Sequence, residues 1–165
     1  MLKTAGIIVV IIVTTMTGSY FSNMLKVRVV NLKKINYMID EIIIMLRFKA
    51  STVYEISEIL KRSDRFSEFE FLNKIDKSVS FQQSWYNSVL SYPPCGMKKS
   101  DVELLADIGK KLGTSDLEGQ ISTLSLQQAE LLSSISSAEK DYFQKAKLYR
   151  SLGVLAGAFI AVMLI

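Results

Sequence analysis

The sequence predicts an all-α protein: an antiparallel helical bundle whose two long helices continue into membrane anchors at the N- and C-termini. Three observations carry that expectation. Apolar residues recur at spacings of three or four through most of the 165-residue chain, and no strand-like alternation of useful length appears. Both ends are stripped of charge: all 16 acidic residues lie between Asp40 and Asp141, and every basic residue except Lys3 lies between Lys26 and Arg150. The last third, from Ser115 to Ile165, reads as one helix that begins in water and finishes in lipid. The expected organisation is an anchor over 1–25, a helical bundle over 26–150 and a membrane-inserted segment over 151–165.

In the first element no charged residue occurs from Thr4 to Leu25, with Ile7–Val13 a continuous aliphatic run. That length suffices to span a bilayer. A cleaved signal peptide is the competing reading, since Lys3 gives a positive start, but no A-x-A-like cleavage site follows. Leu32, Ile35, Ile39, Ile42 and Leu46 then carry the helical spacing on to about Phe48.

Short helices are expected next, each opened by a capping box: Thr52 with Glu55, Ser67 with Glu70, Ser80 with Gln83 and Ser100 with Glu103. Their inward faces would be Val53, Ile56 and Leu60; then Phe71, Leu72, Ile75 and Val79; then Phe81, Trp85 and Val89; then Leu104, Leu105, Ile108 and Leu112. Pro93-Pro94-Cys95-Gly96 breaks the chain as a surface turn, because two prolines remove amide donors and restrict the residue before them.

Gly109-Lys110-Lys111-Leu112-Gly113-Thr114-Ser115 has the letters of a phosphate-binding loop in the wrong order. A P-loop needs lysine and Ser/Thr directly after its last glycine, whereas both lysines here precede Gly113. The same letters make a helix-helix corner, with Gly113 in the left-handed position and Ser115 capping the next helix while Glu118 reaches back. Lys110 and Lys111 suit the negative end of the helix they close. The second reading of this corner is a partner-docking surface made by Lys110, Lys111, Ser115, Asp116 and Gln120.

Along the last helix the buried stripe is Leu117, Ile121, Leu124, Leu131, Ile135, Ala138, Tyr142, Tyr149 and Leu152, interrupted by Gln128 and Lys145. Leu152–Ile165 as a helix covers only ~21 Å of a ~30 Å hydrocarbon core. Snorkelling of Lys147 and Arg150 can close the gap, and a re-entrant tail is the alternative. Small residues recur every four positions in both apolar stretches: Thr14, Gly18 and Ser22, then Gly153, Gly157 and Ala161. Such rows let helix backbones approach closely in lipid, within one chain or between chains.

Orientation follows from the flanks. Lys26, Arg28, Lys33 and Lys34 follow the first apolar stretch and Lys145, Lys147 and Arg150 precede the second, so the positive-inside rule puts the bundle in the cytoplasm. A net charge of +4 gives no case for nucleic acid. With no histidine and one cysteine, an intrachain disulfide is excluded and zinc sites built from Cys and His lack their ligands. Paired carboxylates such as Asp40/Glu41 and Glu68/Glu70 sit among lysines without an apolar pocket. No enzyme activity, small-molecule substrate or cofactor is expected.

The order of parts over nearly the whole chain resembles the stage III sporulation protein AB family of endospore-forming bacteria. The most specific pieces are Leu112-Gly113-Thr114-Ser115-Asp116-Leu117-Glu118-Gly119-Gln120 and Lys147-Leu148-Tyr149-Arg150-Ser151-Leu152-Gly153, with Met1-Leu2-Lys3, Thr14-Thr15 and Gly18 similar at the start. From about Arg47 to Lys99 the likeness is one of helical pattern alone. The resemblance implies a subunit of the channel complex joining the mother cell to the engulfed forespore, seated in the mother-cell membrane with its central domain in the mother-cell cytoplasm. It also implies a helical domain similar to the cytoplasmic domain of the inner-membrane platform protein of type II secretion and type IV pilus machines. The partner it implies is the ATPase stage III sporulation protein AA, beside other channel subunits. A membrane-anchored tether that forms a homo-oligomer, without an ATPase, is the alternative.

Overall fold

The computed structural model describes residues 2–49 and 51–164, and the side chains of all of these except residues 2–5, 7 and 164. The Lys3 charge and the last residue of the tail therefore lie outside the described residues. Five α-helices follow one another: α1 Leu2–Lys49, α2 Val53–Arg62, α3 Phe81–Ser91, α4 Lys99–Lys111 and α5 Leu117–Leu164, with no strand among the described residues. Two compact units result, one of Val30–Ser136 and one of Met1–Val29 with Ser137–Ile165. Helices α1 and α5 each contribute to both.

In the central unit the helical periodicity becomes burial. Leu32, Ile35, Met38, Ile39, Ile42, Met45 and Leu46 form the inward stripe of α1, and Ile121, Leu124, Leu131 and Ile135 that of α5. The gap between Leu124 and Leu131 is spanned by Gln128, whose Nε2 donates to Asp40 Oδ1 at 2.6 Å. The polar break in the stripe is thus a pairing point with α1. Leu117, expected to open the stripe, is exposed, because it sits in the first turn beyond the reach of the core.

The centre of this core is aromatic. Trp85 of α3 is fully buried, lies 5.2 Å from Phe71 and 5.7 Å from Phe81 between ring centroids, and donates from Nε1 to Leu105 O of α4 at 3.0 Å. An indole can be buried at low cost only when its N–H is bonded, as here. A Cβ built on Gly109 would lie 2.0 Å from the Trp85 ring, so α4 carries glycine where the indole crosses it.

Of the four expected capping boxes only Thr52 with Glu55 forms in full, and Ser80 caps α3 through its own hydroxyl alone. Thr52 accepts from Glu55 N at 3.3 Å while Glu55 accepts from Thr52 N at 2.8 Å, and Ser80 Oγ accepts from Gln83 N at 3.4 Å. Ser67 caps no α-helix. Its hydroxyl donates to Asp64 O, and the segment folds as two 3-10 turns, Asp64–Phe66 and Glu70–Lys74. The reason is side-chain direction: Phe66, Phe69, Phe71 and Leu72 all enter the core, a spacing that one α-helix would spread over several faces. Ile75 and Val79 consequently lie outside the core, with Val79 exposed. Helix α4 begins at Lys99, and the buried Asp101 accepts from Lys98 N at 2.9 Å, the role expected of Ser100 and Glu103. The Pro93-Pro94 turn passes through Gly96 at φ +77° and is tied to α1 by Asn31 Nδ2 donating to Cys95 O at 2.8 Å.

Candidate functional site

Two groups of residues stand out, the corner between α4 and α5 in the central unit and the seam between α1 and α5 in the terminal unit. At the corner, Leu112 is buried and Gly113 adopts φ +75°, the left-handed conformation that ends α4. Gln120 then laces the turn, accepting from Gly113 N at 2.9 Å and donating from Nε2 to Ser115 O at 2.8 Å. The cap of α5 is Asp116 rather than Ser115: its Oδ1 accepts from Gly119 N at 3.3 Å and its carbonyl from Gln120 N at 2.9 Å. An aspartate one residue later suits the helix because its full negative charge meets the positive end of the dipole.

Lys110 is engaged within the unit, 3.1 Å from Asp107 and 3.9 Å from the Tyr86 ring centroid, a cation–π contact. Lys111 and Ser115 are exposed and present their side chains to solvent. The five residues singled out in the sequence therefore share one corner, but Asp116 and Gln120 mainly build it and Lys110 is partly held. Two neighbours lie outside that set: Tyr86, and Gln82, whose Nε2 donates to Leu112 O at 2.6 Å. Both are on α3, and their i, i+4 spacing is the only trace they leave in the sequence.

In the terminal unit the two helices run antiparallel, with Gly18 against Gly153, Thr14 against Gly157, Ser22 against Arg150 and Arg28 against Asp141. A Cβ on Gly18 would lie 2.5 Å from Tyr149 O, one on Gly153 2.7 Å from Thr14 O, and one on Gly157 3.1 Å from Ile11 Cα. The backbones touch where the small residues are. Ser22 and Ala161 are buried in the same unit. Thr14 Oγ1 is satisfied within its own helix, against Val10 O at 3.0 Å or Ile11 O at 3.1 Å. The large side chains turn outward, with Met16 67% exposed and Phe159 68% exposed.

Two helices are long and apolar enough to cross a membrane, Ile8–Lys49 and Leu117–Met163. The polar groups that close the terminal unit are paired. Arg28, 5% exposed, lies 3.6 Å from Asp141, which also meets Lys145 at 2.6 Å, and Arg150 Nε donates to Ser22 Oγ at 2.9 Å. Such pairing is what a cation at the edge of an apolar layer requires.

These features can be set beside known proteins. No solved structure matches this chain. Stage III sporulation protein AB of Bacillus subtilis (strain 168) is 25% identical over 172 aligned residues, which cover 99% of this chain and 99% of that protein. The profile of the family described as stage III sporulation protein AB matches residues 3–165. With the match running through both apolar helices and everything between them, the chain belongs to the stage III sporulation protein AB family.

Proposed function

We propose that this protein is a non-enzymatic platform subunit of the channel complex between mother cell and forespore. Its terminal helical pair roots it in the mother-cell membrane, and its central unit lies in the mother-cell cytoplasm, where it docks the ATPase stage III sporulation protein AA. The motion of the ATPase is passed to the membrane through α1 and α5, as in the inner-membrane platforms of type II secretion and type IV pilus machines. The observation that carries this reading is the continuity of those two helices, each 48 residues long, from an aliphatic stretch into the unit that holds the buried core. A continuous helix transmits displacement along its axis with little loss, because every turn is held by its own hydrogen bonds.

The exposed corner supplies the docking surface. Lys111 is the residue to test, because reversing Lys110 would set a carboxylate beside Asp107 and remove the contact with Tyr86. The full-length protein in detergent is expected to bind the purified ATPase in at least one of its nucleotide-free, ADP-bound and ATP-analogue-bound states. Lys111→Glu is expected to weaken that binding by about tenfold with the helical signal unchanged. Absence of binding in all three states sinks the docking proposal.

The competing tether, a homo-oligomer held by its small-residue rows, is less well supported. Gly18, Gly153 and Gly157 are already covered by residues of the same chain, so these rows are spent within one molecule.

A further inference from the structure

Two polar contacts set the register of the terminal unit. Ser22 meets Arg150 and Arg28 meets Asp141, so residues 141–150 of α5 stand level with residues 22–28 of α1. The uncharged run of α1 ends in that interval, at Leu25, and Lys26 beside it is exposed. In a membrane this is the level where the apolar layer gives way to headgroups. A hollow of about 350 Å³ lies there on α5, lined by Tyr142, Phe143, Ala146, Lys147 and Arg150. Ala146 is buried at its base, while Phe143, Lys147 and Arg150 are exposed around it.

The cations at this level are of two kinds. Arg28 and Lys145 both lie against Asp141, at 3.6 and 2.6 Å. Lys147 and Arg150 form no ion pair among the described residues, and no carboxylate lines the hollow they share. Arg150 is oriented from behind, its Nε donating to Ser22 Oγ at 2.9 Å, which leaves the two terminal nitrogens of the fork for another acceptor. The open side of the hollow is therefore positive, and it needs an anion.

We propose that this hollow binds the headgroup phosphate of an anionic phospholipid, held by Lys147 and the Arg150 fork. A guanidinium and an ammonium converging on one phosphate is a strong, charge-assisted arrangement. Tyr142 and Phe143 wall the hollow on its water side, against the rest of the headgroup. Val154, one turn beyond Arg150 on the same face and exposed, starts an apolar path for the acyl chains. A dissolved phosphate ester offers the same oxygens, but only a lipid also covers that path. A zwitterionic headgroup would bring its ammonium toward the same two cations, which disfavours it. The inference rests on the terminal pair being seated in a membrane.

The test reconstitutes the full-length protein in phosphatidylcholine vesicles, checks by flotation that it stays with them, and adds spin-labelled phosphatidylglycerol or spin-labelled phosphatidylcholine. The motionally restricted fraction of each label measures its association, and phosphatidylglycerol is expected to be preferred by at least about threefold. Lys147→Gln is expected to lower that preference by at least about twofold, and Lys147→Arg to keep it. Lys145→Gln removes the same charge from a residue already held by Asp141 and is expected to leave the preference unchanged. Excess glycerol phosphate is expected not to release the restricted lipid. Equal association of the two lipids, equal losses from Lys145→Gln and Lys147→Gln, or release by glycerol phosphate would overturn the inference while the protein still floats. A protein that does not float with the vesicles would overturn the membrane reading, and this inference with it.

Discussion

The two units solve opposite packing problems with the same two helices. In the central unit α1 and α5 turn Leu32, Ile35, Ile39, Ile42, Ile121, Leu124 and Leu131 inward and leave a mixed surface outside, with Lys33, Arg47, Glu118 and Glu130 beside the exposed Ile44, Phe48, Leu126 and Leu132. In the terminal unit the same helices turn Gly18, Ser22, Gly157 and Ala161 inward and leave Ile8, Val9, Ile12, Met16, Phe159 and Val162 outside. Water rewards the first arrangement, since burying large apolar surface is what drives association there. In lipid, leucine gains nothing by leaving the acyl chains, so close backbone contact across small residues and paired polar groups must hold helices together. The inversion is what a change of solvent along each helix would require.

The largest expected effect lies in the aromatic centre of the water-facing design. Trp85→Ala removes a fully buried indole together with its bond to Leu105 O, and is expected to destabilise the central unit by about 3–5 kcal/mol. Circular dichroism melting of the detergent-solubilised chain measures it. Gly109→Ala sharpens the point, because alanine normally stabilises a helix relative to glycine by about 0.8–1.0 kcal/mol. Here its Cβ meets the indole, so a loss of about 1–3 kcal/mol is expected instead. Gly6→Ala, with nothing within 4 Å of the new Cβ, supplies the contrasting case and should be neutral or slightly stabilising.

The lipid-facing design should break differently. Gly18→Leu places a side chain where Tyr149 O and Gly153 Cα already sit, and is expected to part the helices in the terminal unit. Trp85 is the single tryptophan of the chain and reports the central unit alone. Its fluorescence melt is expected to stay unchanged in Gly18→Leu. Spin labels at the exposed Met16 and Leu155, in a Cys95→Ser background, should give a narrow distance distribution in the parent and a broad one in the variant. A fall in the Trp85 melt as large as that for Gly109→Ala would show that the two designs are not separable.

Much of this inversion is legible in the sequence, for a physical reason. Long helices bury one face each, so Leu32 to Leu46 and Ile121 to Ile135 announce themselves by spacing, and the charge-free ends by composition. The left-handed Gly113 is also readable, because a glycine after a helical run bordered by lysines has few other uses. What stays hidden depends on contacts distant in sequence. Residues 67–79 read as a helix because Ser67 and Glu70 stand at capping distance, yet three phenylalanines compete for one core and draw the backbone into 3-10 turns. Ser115 and Asp116 are both good caps, and only the lacing by Gln120 selects Asp116.

The smallest expected effect concerns acid, and it separates the units once more. The Asp76 carboxyl is held below its ordinary value by the Ser78 hydroxyl donating at 2.6 Å and the Ser78 amide donating at 2.8 Å. The Glu58 carboxyl is lowered by its hydrogen bond and charge contact with Lys77 at 3.0 Å. A carboxyl whose folded value is depressed contributes stability above its unfolded value and loses it as pH falls through the folded one. The central unit should therefore weaken on acidification below the ordinary carboxylate range. Asp76 is exposed and Glu58 partly so, and the contribution is therefore small and fades with salt. Asp76→Asn combined with Glu58→Gln is expected to flatten the acid limb of the Trp85-detected melting curve while leaving neutral-pH melting nearly unchanged. The Met16–Leu155 distances should be the same in parent and double variant at every pH, since neither carboxylate belongs to the terminal unit. An acid limb that keeps its slope in the double variant would assign the pH response to other carboxylates.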